Sequence, residues 1–331
     1  MPRHHALDAL KLLLAVLVTL FHAQALAAIS PELALLADKG FGRIVVPVFL
    51  LINGYFFQPQ LARGAHRAWL TWVAALYGLC MVLYLPFWLG GLPAGPMGAA
   101  VFVGRWLLGF AHLWYLAGLL LAALLLVALR RWPARRLVAL ASGLWLAGVV
   151  LQYAAAYQWA GEASLAARML TSVHSYRNGL LLSFPYFCMG YLLRAHRVPE
   201  RLPGGVVAAL FGLALVGLLG EAMINVRLTP AATQIDNPLF ALVAAPVVFL
   251  AALRLPMQAP ALPLSALAIG IYLLHPLALW LLHLWPPLDA LTEGLGAIVI
   301  SAMLTQALMA ARDGWLAQRA GAYRSDSIKS M

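Results

Sequence analysis

Asp8-Ala-Leu-Lys11-Leu-Leu-Leu-Ala15-Val-Leu-Val-Thr-Leu-Phe-His22 is the first apolar run of the chain, and it carries a polar stripe. At about 100° and 1.5 Å per residue, Lys11 and His22 differ by about 20° around a helix axis and about 16 Å along it. Asp8 lies about 40° from His22, so all three share one face, with small Ala15 between the lysine and the histidine. The stripe therefore runs from one membrane edge past the middle of a span. An ionisable residue deep in a membrane helix is costly and faces the bundle interior or a water-filled cavity, which makes His22 a functional candidate. The alternatives are a histidine that bonds a neighbouring helix as packing glue, and a lysine that snorkels to the interface.

Composition sets the class. The chain has 331 residues, of which 64% are hydrophobic and 10% charged, far from the balance of a soluble domain. The expected fold is an all-α, polytopic transmembrane helical bundle. The net charge of +11 does not point to nucleic acid, because the arginines flank apolar runs, where a membrane protein carries its topology signal. Cys80 and Cys188 both lie inside apolar runs, which supports neither a disulfide framework nor a thiolate metal site. The first run lacks a small-residue cleavage site and is long enough to span, so it is expected to be retained.

Spans of predominantly apolar residues are expected at about 8 to 28, 43 to 61, 68 to 90, 112 to 130, 136 to 155, 177 to 194, 204 to 224, 238 to 253, 264 to 284 and 290 to 311. Segment 99 to 110 is too short to span beside its neighbour and is expected at the interface or re-entrant. Ten spans place both termini on one side. Arg3, Arg63, Arg67, Arg130, Arg131, Arg135, Arg136, Arg194, Arg197, Arg201, Arg254, Arg312, Arg319, Arg324 and Lys329 fall on that side, against Lys39, Arg43, Arg105, Arg168, Arg177 and Arg227 opposite. This bias makes the termini cytoplasmic. Residues 1–311 then form one integral membrane domain and 312–331 a short polar cytoplasmic tail.

Four clusters could carry chemistry. In the second span, Pro47-Val-Phe-Leu-Leu-Ile-Asn53-Gly54-Tyr55 combines a proline, a polar side chain and a glycine, so that a ligand or a helix can approach. Arg63, His66 and Arg67 follow on the cytoplasmic side, where guanidiniums suit phosphates and equally serve as a topology signal. On the outer side, Trp114, Tyr115 and Arg177 offer aromatic and hydrogen-bonding groups to a sugar, or form an interfacial belt. Ile271-Tyr272-Leu-Leu-His275-Pro276 sets a second intramembrane histidine before a proline. No Gly-x-Ser-x-Gly elbow, Walker sequence or His-Glu-x-x-His motif is present, so an intramembrane histidine is the candidate base.

With Lys11 and His22, Pro47 to Tyr55 and Gly270-Ile-Tyr272-Leu-Leu-His275-Pro276 in view, the chain resembles the membrane-bound acyltransferase 3 family from Leu7 to about Ala311. That family acylates sugars and other hydroxyl acceptors on surface polysaccharides, glycans and lipids. The resemblance implies that His22 is the catalytic base, with His275 a second catalytic candidate, and that Lys11, Arg67 and Arg63 hold an acyl-CoA donor. Asn53, Gly54, Tyr55, Trp114, Arg177 and Tyr272 become candidates for substrate binding. It also implies a multi-pass protein of the bacterial inner membrane that uses acyl-CoA, acetyl-CoA first among the candidates, and no metal. Its partners would be a glycan, glycolipid or polymer acceptor and the lipid bilayer. Asn53 stands where the family commonly has serine, and Lys11 where arginine is frequent. Lysine keeps the charge and loses the bidentate fork. No further domain is expected after the bundle.

The expected reaction moves an acetyl or succinyl group to a hydroxyl of an extracytoplasmic sugar, polysaccharide or glycolipid. Coenzyme A would dock its phosphates at the cytoplasmic basic cluster and extend its arm along the stripe, with neutral His22 taking the hydroxyl proton. A covalent acyl-histidine is the other route. The rival class is a multi-pass transporter or flippase of a glycan or small molecule, and a third is a structural membrane subunit. A proton-coupled carrier usually needs a mid-membrane carboxylate, whereas Asp8 and Glu221 lie near span ends.

Overall fold

The computed structural model describes residues 4–159, 172–231 and 233–329. Arg3 and Arg168 of the charge count lie outside them, and the side chains of Arg319, Arg324 and Lys329 are likewise not described. Twelve helices of eight or more residues organise the described chain: α1 His5–His22, α2 Pro31–Asp38, α3 Val45–Ala62, α4 His66–Leu83, α5 Pro96–Leu108 and α6 Trp114–Ala128, then α7 Ala134–Ala156, α8 Phe184–Ala195, α9 Gly204–Leu228, α10 Ala241–Arg254, α11 Leu264–Leu282 and α12 Ala290–Lys329. No strand occurs among the described residues. Among the described residues, six helical stretches are long and apolar enough to cross a membrane: α1, Ala111–Ala128, α7, α9, α11 and Ala290–Leu316 of α12. Much of their apolar surface faces outward. Leu213, Val216 and Leu228 of α9 are all more than half exposed, which suits hydrocarbon surroundings and not water.

The chain divides into two compact units, Met1–Pro31 with Met257–Met331, and Glu32–Pro256. In the first unit α1, α11 and α12 pack together. Lys11 meets Ser265 and His22 meets His275, so α1 and α11 run parallel. Gly270 lies against Thr305 and Gly296 against Leu282, so α12 runs antiparallel to α11. A Cβ at Gly270 would sit 1.9 Å from Thr305 Oγ1, which explains why a glycine precedes Ile271-Tyr272. Ala23, Ala278 and Ala297 close the other end of this three-helix contact.

The shared face of Lys11 and His22 is realised, since both reach α11. The length of the first span is corrected. Instead of running to residue 28, α1 stops at His22, where Gln24 takes a left-handed conformation (φ 55°) and turns the chain. His22 is therefore in the last turn of its helix, next to a break. The polar stretch after Arg312 continues α12 helically as far as Lys329.

In the second unit α3 and α8 are in backbone contact. A Cβ at Gly54 would lie 1.9 Å from the carbonyl oxygen of Phe187, and one at Gly190 would lie 2.0 Å from that of Leu51. Two glycines, one from each helix, make the approach possible. Several polar groups buried in this unit satisfy one another. Glu221 accepts hydrogen bonds from Tyr153 and from the amides of Leu239 (2.6 Å) and Phe240 (2.9 Å), which completes the start of the 14-residue α10. Gln152 and Asn237 bond reciprocally (3.1 and 2.8 Å), and the Tyr186 hydroxyl donates to Asn237 Oδ1 at 2.7 Å. Lys39 is wholly buried and donates to Thr229 Oγ1 (2.6 Å) and to the Pro230 carbonyl (2.7 Å), tying the end of α2 to the end of α9. Segment 99 to 110 forms most of α5, against which Tyr77 donates to the Trp106 carbonyl at 2.7 Å.

Gly190→Val forces a branched side chain into the Leu51 carbonyl and is expected to cost at least about 1–3 kcal/mol by overpacking. Thermal unfolding in detergent should show a Tm several degrees below wild type, whereas Gly143→Val, at a glycine with open space around it, should leave the Tm unchanged.

Candidate functional site

In the first unit the two intramembrane histidines are hydrogen-bonded. His22 Nδ1 and His275 Nε2 are 2.7 Å apart, with ring centroids 4.9 Å apart and an interplanar angle of 35°. His275 is wholly buried, and its Nδ1 lies 3.1 Å from the carbonyl oxygen of Ile271, one helical turn back. A carbonyl oxygen can only accept, so His275 Nδ1 carries a proton and donates to it. In neutral His275 the lone pair is then on Nε2, which accepts from His22 Nδ1–H. The same rule carried one ring further puts the lone pair of neutral His22 on Nε2, on a side chain that is exposed. A backbone carbonyl thus fixes two tautomers in series and presents a basic nitrogen at the end of α1. The Tyr272 ring lies 6.2 Å from that of His275.

Lys11 occupies the other end of the stripe. Its ammonium is 2.8 Å from Asp8 Oδ1 and 3.4 Å from Ser265 Oγ. Both groups of the pair are mostly buried, so Asp8 offsets the lysine charge within the same helix turn. Ser265 was invisible as a site residue because a serine at the start of an apolar helix is ordinary. Its partner emerges only from the parallel pairing of α1 with α11.

The second unit holds the remaining candidates. Asn53 donates to the Phe49 carbonyl (2.9 Å) and to the Tyr115 hydroxyl (2.8 Å), which joins α3 to α6. Gly54 is filled by the backbone of α8 and works as a packing glycine. The Tyr55 hydroxyl accepts from Arg194 at 2.7 Å, and its ring lies 5.0 Å from the same guanidinium. Arg63 and Arg67 are exposed, and Arg63 bonds the Pro59 carbonyl at the end of α3 (3.1 Å).

Trp114 and Arg177 come together, with the guanidinium 5.3 Å from the ring centroid. Both line a cavity of about 310 Å³ between α5, α6 and the segment His174–Leu181. That segment opens with the short turn Val173–Tyr176 and continues as a π-helical stretch, Gly179–Ser183, capped by Asn178, whose Oδ1 accepts from the amides of Leu180 and Leu181 (2.9 Å each). Such wide turns occur often at functional sites. Burial, and then the nearby Arg177 charge, hold the His174 imidazole below its usual pKa. Sequence reading singled out Arg177 here, but nothing in residue order announces the π-turn or the cavity.

The chain belongs to the acyltransferase family whose domain model matches residues 4–310. It is also similar to an amino-acid racemase of Enterococcus faecalis, 24% identical over 301 residues, covering 85% of this chain and 42% of that protein. A serine/alanine racemase of Enterococcus gallinarum is 26% identical over 240 residues, covering 66% of this chain and 33% of that protein. The chain thus spans less than half the length of these curated relatives. No solved structure matches it significantly.

The tautomer assignment has a direct check. In ¹⁵N-histidine-labelled protein at a pH where both rings are neutral, His22 and His275 should each show a protonated Nδ1 and an unprotonated Nε2. An Nε2–H tautomer at His275 would break the assignment for both rings.

Proposed function

We propose that this member of the acyltransferase family is a multi-pass membrane O-acyltransferase. It moves an acetyl or succinyl group from cytoplasmic acyl-CoA to a hydroxyl of an extracytoplasmic sugar, polysaccharide or glycolipid, in the inner membrane of a bacterium. The observation that carries this reading is the 2.7 Å pair of His22 and His275, which leaves a basic imidazole nitrogen at the end of α1.

The chemistry follows from that nitrogen. The acceptor hydroxyl attacks the thioester carbonyl carbon while His22 Nε2 takes its proton. The carbon–sulfur bond then breaks, the coenzyme A thiolate recovers the proton, and ester and free thiol leave. His275 steadies the imidazolium, because its neutral Nε2 accepts from His22 Nδ1–H throughout. Exposed Arg63 and Arg67 have the charge and fork geometry for donor phosphates, whereas Lys11, the third donor-binding candidate, is already paired with Asp8.

The ten-span arrangement with cytoplasmic termini belongs to the same proposal. Helix polarity supports it as well as charge bias: α1 is parallel to α11 and α12 runs back, as an even number of crossings with both ends on one side requires. α3 and α4, at 18 residues each, are also of spanning length.

The test is mass spectrometry of surface glycans from a deletion strain complemented with wild type or His22→Ala, at matched membrane abundance. Wild type should restore an acyl mass that His22→Ala lacks, with transfer down by about 10²–10⁴-fold. Full acylation with His22→Ala would remove the base assignment. Unchanged glycans in the deletion strain would instead favour a carrier.

A further inference from the structure

The cavity beside Trp114 combines a largely aliphatic lining with a few polar side chains, one of them an arginine. Its aliphatic wall includes Leu107 (72% exposed), Leu108 (43%) and Leu121 (43%), side chains that open outward to the lipid-facing surface. Its polar side chains include His174, Arg177 and Asn178, all from one short segment of the chain.

Asn178 is already used up. Its amide donates to the carbonyls of His174 (3.1 Å) and Ser175 (3.0 Å), and its oxygen accepts from two amides. One face of the Trp114 ring, on which a sugar ring could stack, is taken by the Arg177 guanidinium. A polyhydroxylated ring needs hydrogen-bonding groups distributed around it, and this cavity does not provide them.

Arg177 itself is loosely engaged. Among the described residues it makes a 3.4 Å hydrogen bond to Gln234 and a 3.6 Å ion pair with Asp236, a carboxylate that sits closer to Arg43 (2.8 Å). Arg43 in turn bonds Asp38, so the acidic groups here are committed first to Arg43. The fork of Arg177 is thus available to a stronger anion, in a cavity whose wall accepts a chain.

We infer that this cavity holds the phosphate and the first chain segment of a lipid-linked acceptor, a polyprenyl phosphate bearing the sugar, and not the sugar itself. The inference rests on the acyltransferase reading and narrows its acceptor from glycans in general to glycans still attached to a lipid phosphate. Arg177 would grip the phosphate, Trp114 would hold Arg177 in place, and the leucine wall would cover the chain.

Native mass spectrometry of the purified full chain in detergent, titrated with a polyprenyl monophosphate, tests this. Binding should be about tenfold tighter than to the polyprenol of the same length, the increment of one charge-assisted contact. Arg177→Ala should lose about that factor, and Arg177→Lys should keep part of it. Leu108→Trp, at a partly exposed position on the cavity wall, should weaken binding of both lipids without affecting the fold. Equal binding of phosphate and alcohol, or of phosphatidylglycerol and polyprenyl phosphate, overturns the site. His22→Ala should bind the probe as wild type does. Binding that ignores Arg177 in a protein that still transfers acyl groups overturns the anchor site alone. Arg177-dependent binding in a protein that transfers no acyl group to any acceptor counts against the acyltransferase reading and sustains the cavity assignment.

Discussion

A histidine with no exposed surface must find partners for both ring nitrogens, because an unpaired polar group in a low-dielectric interior costs about 1–3 kcal/mol. His275 meets that demand with one backbone carbonyl and one other histidine. The carbonyl is fixed by α11, so the proton arrangement is dictated by the helix and passed to His22. Orientation of a base by a group that cannot itself become a donor is the logic of a catalytic triad, achieved here with two imidazoles and a peptide carbonyl. The parallel pairing of α1 and α11, the glycine at position 270 that seats α12 and the break at Gln24 all serve to hold that one contact.

The second unit has a different character. Its buried polar residues are largely committed to architecture, as Glu221 is to the start of α10, Lys39 to the Thr229–Pro230 turn and Asn53 to Tyr115. Buried charges and amides in an apolar bundle are expensive, and pairing them specifies which helices meet and in what register. The cavity beside Trp114 stands apart, because there a cation is held by a ring, by Gln234 and by one carboxylate, Asp236, that lies closer to Arg43.

Much of this was readable from residue order. Helical periodicity placed Lys11 and His22 on one face, apolar length gave an all-helical bundle, and His275 before Pro276 marked the second histidine. What periodicity could not supply was the end of α1, since a left-handed Gln24 within apolar sequence has no proline or glycine to announce it. Gly54 was legible as a close-approach position, while its occupant, the backbone of α8, depends on a contact far along the chain. Lys39 looked like an outer topology charge because its burial is decided by the turn at 229 and 230. The π-turn at Gly179–Ser183 and the pairing of Ser265 with Lys11 are likewise products of tertiary packing.

Purified protein in lipid nanodiscs allows the chemical step to be isolated, by single-turnover transfer from acetyl-CoA to a hydroxyl acceptor with thiol release followed in time. The comparison that matters is wild type against His275→Phe, which keeps an aromatic ring and removes the acceptor for His22 Nδ1–H. If the pair is the catalytic base, the single-turnover rate falls by about 10²-fold or more while acetyl-CoA binding stays at its wild-type level. A wild-type rate in His275→Phe would contradict it, since His22 would then need no partner to act.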